Sequence, residues 1–154
     1  MMIDPPKLLT TSAQRTAVIK LVIPRAEIQQ VMGPAVGEVY ATLGAQGLTP
    51  AGRWFTRHFR FDPATFDFEV GVPVNADVKP AGRVVPEALP AVKVARAIYR
   101  GGYEGLPKAW PELDGWIRAQ GLTPAEWLWE TYLTDPSSGG PPSSWETELT
   151  RPLR

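Results

Sequence analysis

Apolar positions along the chain fall into two rhythms, and the alternation between them sets out the elements. Ala17-Val18-Ile19-Lys20-Leu21-Val22-Ile23 is a short, mostly β-branched run closed by Pro24, which predicts a strand over Thr16 to Pro24. Residues 3–15, rich in proline and polar side chains, read as a lead-in. Arg25 to Met32 predicts one short helix, with Gly33-Pro34 as a break and Pro34 at the first position of the next helix. Val36, Val39, Tyr40 and Leu43 then recur at the spacing of one helix face, and Gly44 and Gly47 end it. Gly52 to Phe59 has strand composition, Asp62-Pro63 makes a turn, and Phe66 to Val74 is the returning strand. Past a proline- and glycine-bearing stretch, with a short extended pairing at 84–85, the order repeats. A strand at Val92 to Arg100, a Gly101-Gly102 turn and a helix from Glu104 to Gln120 lead to strands at Ala125 to Thr134 and Ser144 to Arg151. That helix presents Leu106, Trp110, Leu113 and Ile117 on one side. The loop Ser137 to Pro142 separates the last two strands.

The repetition is written into the residues themselves. Ala45-Gln46-Gly47-Leu48-Thr49-Pro50-Ala51 returns unchanged as Ala119-Gln120-Gly121-Leu122-Thr123-Pro124-Ala125, an offset of 119 − 45 = 74 residues. Leu43 falls on Ile117 and Glu38 on Glu112 at the same offset. The chain is therefore expected to be an α+β fold of duplicated β-α-β-β units. Antiparallel sheets with helices on one face, pseudo-twofold symmetry and a central ligand cleft complete that expectation. One domain over residues 1–154 is expected, with repeat 1 at about 16–74, a connector at about 75–90 and repeat 2 at about 91–153.

Composition narrows the function. Lysine plus arginine equals aspartate plus glutamate at 16 each, with the charges scattered, so no basic surface is offered to nucleic acid. There is no cysteine and a single histidine, His58, which excludes a disulfide framework and a histidine- or thiolate-built metal site. No cofactor is implied. The N-terminus lacks a signal pattern and no apolar run reaches membrane-spanning length, so a soluble, cytoplasmic protein is expected.

Candidate chemistry concentrates in Trp127-Leu128-Trp129-Glu130-Thr131-Tyr132-Leu133. In a strand Leu128, Glu130 and Tyr132 share one face. Carried back by the repeat offset, the same face of the first half shows Trp54, Thr56 and His58. A glutamate at the centre of an aromatic strand is costly to bury unpaired. Ionised, it attracts organic cations together with the surrounding rings; protonated, it serves as a general acid or base. The plainer reading is a solvent-facing or arginine-paired carboxylate. His58 alone more often marks a hydrogen-bonded residue than a catalyst, Tyr103 and Trp110 serve equally as cleft lining or as core, and Gly101-Gly102-Tyr103-Glu104-Gly105 lacks both the dinucleotide and the Walker spacing.

Two motifs carry a resemblance. Tyr99-Arg100-Gly101-Gly102-Tyr103-Glu104-Gly105-Leu106 and Glu130-Thr131-Tyr132-Leu133-Thr134-Asp135-Pro136, within the duplicated plan, resemble the gyrase-inhibitor-like small-molecule-binding domain. It is also the effector-binding domain of AraC-type and MerR-type bacterial transcription activators. The likeness runs from about Thr10 to Leu153 and is looser in the first half. It implies an aromatic pocket between the halves with Glu130 as polar anchor and Trp54, Thr56, His58, Tyr103, Trp110, Leu128 and Tyr132 as ligand-binding residues. The implied ligand is a lipophilic, in some relatives cationic, aromatic compound. Some relatives are hydrolases of cyclopropane-containing natural products, which would assign catalysis to Glu130 and Tyr132; others are protein-interaction modules that modulate gyrase. At 154 residues the chain is expected to be a stand-alone member without an operator-binding domain.

Overall fold

The β-branched run of the first half lies in the longest strand of the protein. The computed structural model describes residues 2–134 and 139–154. In chain order the strands are β1 (Lys7–Thr10), β2 (Gln14–Pro24), β3 (Phe55–Phe61), β4 (Thr65–Pro73), β5 (Val84–Leu89), β6 (Lys93–Arg100), β7 (Leu128–Tyr132) and β8 (Glu146–Pro152). Two helices join them, α1 (Ile28–Ala45) and α2 (Leu106–Ala119). The fold is α+β and every paired strand is antiparallel.

Two compact units emerge: Ser12–Ala91, and Met1–Thr11 together with Val92–Arg154. In the first-repeat unit the strands lie in the order β3-β4-β2-β5. Alternation sends Ala17 and Ile19 of β2 and Phe68, Val70 and Val72 of β4 toward α1, which contributes Ala35, Val39 and Leu43. In the second-repeat unit the order is β1-β6-β8-β7. There Ala95, Ala97 and Tyr99 of β6, Leu149 of β8 and Leu128 of β7 pack against Leu106, Ala109, Trp110, Leu113 and Ile117 of α2.

The repeated heptapeptide is a helix stop. Leu48 N–H donates to the Leu43 carbonyl (2.9 Å) and Gly47 N–H to the Gly44 carbonyl (3.2 Å), with Gly47 at φ 69°. Leu122 N–H donates to Ile117 (3.2 Å) and Gly121 N–H to Arg118 (3.0 Å), with Gly121 at φ 77°. This pair of bonds is the Schellman arrangement, which needs a left-handed residue and therefore selects glycine. The leucine after each glycine packs on the core of its own unit.

Several elements differ from the sequence-based expectation. The lead-in contains β1, whose Lys7–Thr10 pairs with β6, and Ile3 bridges Tyr99. Gly33-Pro34 does not break the helix: a 3-10 turn at Arg25–Glu27 runs directly into α1, and Pro34 sits inside it. Glycine before the proline removes the Cβ that would meet the proline ring, and the apolar face Ala35, Val39, Leu43 holds the turns on either side together. The stretch expected as a connector carries β5, which pairs with β2 over six residue pairs. Strand β3 starts at Phe55 rather than Gly52. Asp62 forms the expected turn by accepting from the N–H groups of Ala64 (2.7 Å) and Thr65 (3.3 Å). Asp135, Pro136 and the Ser137-Ser138 part of the last loop lie outside the described residues.

Candidate functional site

Strand β7 carries Glu130 into the interior of the second-repeat unit. Strand parity turns Leu128, Glu130 and Tyr132 toward α2, as expected, and the register sets Glu130 opposite Leu149 and Tyr132 opposite Thr147 on β8. Glu130 is only 8% exposed, and burial pushes its carboxyl up to about 7. Hydrogen bonds involving Trp110 and Tyr132 pull it partly back. Its Oε2 has no hydrogen-bond partner among the described residues. The carboxyl is thus hydrogen-bonded, while its buried Oε2 lacks a partner among the described residues, and the group is close to half-ionised at neutral pH.

Aromatic rings frame it. Tyr103 stands in a 3-10 turn (Tyr103–Gly105) immediately before α2, placed by the Gly101-Gly102 turn that Tyr99 locks by donating its hydroxyl to the Gly102 carbonyl (2.6 Å). Its ring meets Tyr132 edge-on at 5.7 Å and lies tilted on Trp145 at 5.2 Å, separations at which aromatic pairs attract. Trp145 precedes β8 on the same side as Thr147 and Leu149.

Arg151 anchors the floor. It is 4% exposed and grips Asp114 of α2 through Nε (2.9 Å) and Nη2 (2.8 Å), with its guanidinium 5.1 Å from the centre of the Trp110 ring. Stacked there, it fixes the indole that holds Glu130. Arg151, Trp145 and Thr147 were not anticipated from sequence. The signal available was parity: they share a strand face with Leu149, opposite Glu130 and Tyr132.

Five expected residues, Tyr103, Trp110, Leu128, Glu130 and Tyr132, are therefore brought together. Trp54, Thr56 and His58 stand in the first-repeat unit. There Trp54 packs on the core, and His58 shares a 3.1 Å hydrogen bond with Thr56 and stacks on Phe68 at 5.3 Å. Burial, aided by the Arg25 charge, drives the His58 pKa down to about 4, so the ring is neutral at physiological pH. An open hollow of about 400 Å³ lies elsewhere, bordered by Gln14, Arg15, Val74 and Asn75; its arginine is tied to Asp77 at 3.3 Å. Among the described residues no group of three or more His, Cys, Asp or Glu is placed to hold a metal, and no helix is long and apolar enough to cross a membrane.

A duplicated antiparallel α+β chain with a buried carboxyl framed by aromatic rings is the architecture of a small-molecule-binding domain. Residues 4–154 match the GyrI-like small molecule binding domain, and the chain belongs to that family. No curated protein matches it in sequence. Among solved structures it resembles the EcmrR C-terminal domain, with TM-score 0.87, 21% identity, and coverage of 100% of this chain and 99% of that one. Against EcmrR in its DNA complex the TM-score is 0.86 at 21% identity, and the chain spans 58% of that protein's length. It is also similar to SAV2435 bound to tetraphenylphosphonium (TM-score 0.65, 12% identity, 98% of this chain and 94% of that one). A hydrolase encoded by lin2189 from Listeria innocua gives 0.67 at 13% identity, covering 97% and 91%. At these identities the likeness is one of fold.

Proposed function

We propose that the chain binds lipophilic aromatic cations against Glu130, with Tyr103, Trp110 and Tyr132 supplying ring contacts. The observation that carries this reading is the buried carboxyl itself, with one oxygen unpartnered and aromatic rings beside it. A cation brought against it supplies the counter-charge that the site lacks, in surroundings where a charge-assisted contact is strong. The tetraphenylphosphonium complex of SAV2435 supports this ligand class.

The reading has a pH signature. A cation pairs with the ionised carboxyl, so affinity for tetraphenylphosphonium rises as pH climbs through about 7. Titration by calorimetry at pH 6 and pH 8 should show the rise in the wild type and none in Glu130→Gln. At pH 8 the variant should bind roughly tenfold or more weakly, a loss that needs only about 1.4 kcal/mol of charge attraction. Equal affinities for the two proteins at pH 8 would remove Glu130 from the site.

A second reading has its own support. A carboxyl near pH 7 beside Tyr132 is poised for general acid or base work on water, and a hydrolase is among the structural relatives. Incubation with a cyclopropane-containing electrophile, followed by mass spectrometry, should then show addition of water that Glu130→Gln abolishes while binding persists.

A further inference from the structure

Beyond the carboxyl, the same corner holds two more polar atoms whose needs are unmet. Trp145 Nε1 and Thr147 Oγ1 are buried and have no hydrogen-bond partner among the described residues. Thr147 is 0% exposed and lies directly opposite Tyr132 across the β7–β8 ladder. Such opposed side chains have Cβ atoms about 5 Å apart. Trp145 touches Tyr103, whose ring also touches Tyr132, so both atoms border the aromatic frame of Glu130. An indole N–H is a donor only, and a hydroxyl can donate as well as accept. Buried donors left unmet are costly, and proteins satisfy nearly all of them. Two at one edge of a candidate ligand site therefore describe a missing acceptor.

We propose that Trp145 and Thr147 are specificity-determining residues that select aromatic ligands carrying an acceptor oxygen, such as an aryl ketone, ester or amide carbonyl. The inference rests on the ligand-binding reading of the Glu130 site and refines the ligand class from hydrophobic cation to oxygenated aromatic. A pure hydrocarbon cation engages the carboxyl and the rings and leaves the two donors unmet. A carbonyl-bearing one engages all three.

The test uses three probes on the full chain: tetraphenylphosphonium, (4-acetylphenyl)triphenylphosphonium and neutral benzophenone. Each is titrated calorimetrically into wild type, Trp145→Phe and Thr147→Val, with thermal unfolding confirming that each variant folds. Thr147→Val keeps the shape and deletes the hydroxyl, whereas Trp145→Phe deletes the indole N–H together with part of the ring that packs on Tyr103. The acetyl compound should bind the wild type roughly threefold to tenfold more tightly than tetraphenylphosphonium, the worth of one hydrogen bond. That gain should vanish in at least one variant, and in Thr147→Val tetraphenylphosphonium affinity should be unchanged. Equal binding of the two phosphonium ions, or a gain that survives in both variants, overturns the inference and leaves the cation reading standing. Benzophenone binding that depends on Trp145 or Thr147, with neither phosphonium bound, sinks the cation reading and supports the acceptor inference. No binding of any probe overturns both. Thr147→Val supplies an independent reading: with its hydroxyl unmet in the free protein, the substitution should leave the melting temperature unchanged or raise it, and a clear fall would show that the hydroxyl is already satisfied.

Discussion

Arg151 shows how much a single side chain carries in this site. Its two-pronged grip on Asp114 joins β8 to α2, and its stacking on Trp110 holds the indole that serves Glu130. A lysine cannot reproduce the planar fork or the stacking. Arg151→Lys should therefore lower stability by about 1–3 kcal/mol in urea denaturation and weaken tetraphenylphosphonium binding, although Arg151 is not proposed to touch the ligand. Unchanged binding would confine Arg151 to a structural role. Gly71 makes a different kind of demand: a Cβ there would lie 2.7 Å from both Phe55 Cζ and Val18 Cγ1, two buried side chains. Gly71→Ala should cost about 1–3 kcal/mol through overpacking. Glu130 was legible in the sequence because a lone carboxylate in an aromatic strand is an anomaly. Arg151 was not, since a surface arginine and a buried one are written alike, and only the Asp114 partner on another element tells them apart.

At the scale of elements, α2 provides a test in which one substitution has opposite signs at two positions. Gly115 lies inside the helix, exposed, and a Cβ added there would meet nothing within 4 Å. Alanine there should stabilise by about 0.5–1 kcal/mol, the helix-propensity difference. Gly121, six residues on, closes the helix at φ 77°. Alanine there should destabilise by about 1–2 kcal/mol, the cost of a left-handed alanine. Paired urea titrations check both, and matching signs would refute the cap argument. The helices and central strands were legible because period and cap chemistry agree locally. The edge strands β1 and β5 were not. β1 and β5 are short, proline-flanked or proline-bearing segments whose structure comes from pairing with β6 and β2, partners distant in sequence. Continuity of α1 through Pro34 was hidden for a related reason: burial of Ala35, Val39 and Leu43 overrode a local breaker. Within the site, the five residues of the second-repeat unit were readable from strand parity and helix spacing; the donors on β8 needed the β7–β8 register.

For the molecule as a whole, Glu130, Glu69 and His58 are the described groups whose shifts shape the dependence of stability on pH between 5 and 8. Glu130 is joined by Glu69 on β4, which is 0% exposed, has no hydrogen bond to either oxygen among the described residues and lies 3.8 Å from Arg57. Burial raises its pKa to about 7 against the opposing pull of Arg57. Both glutamates release their protons near 4.5 when unfolded. Between about 4.5 and 7 the folded chain therefore holds protons that the unfolded chain has lost, and each carboxyl makes stability fall as pH rises. His58 works in the other direction. Unfolded it takes a proton near 6.5, folded only near 4, so its contribution rises with pH between those values and is constant above them. Two falling terms against one rising term leave a net loss of stability from pH 5 to pH 8, and above 6.5 only the carboxyls act. Each carboxyl accounts for a loss on the order of 2–3 kcal/mol across that range. Urea denaturation at pH 5, 6.5 and 8 should show the wild type weakening steadily. Glu69→Gln and Glu130→Gln should each remove one falling term, and the double variant should reverse the sign between pH 5 and 6.5, leaving only the histidine's rise. A wild type that gains stability toward pH 8 would mean that the carboxyls are ionised at little cost in the folded chain, and the charge-deficient site proposed at Glu130 would lose its physical basis.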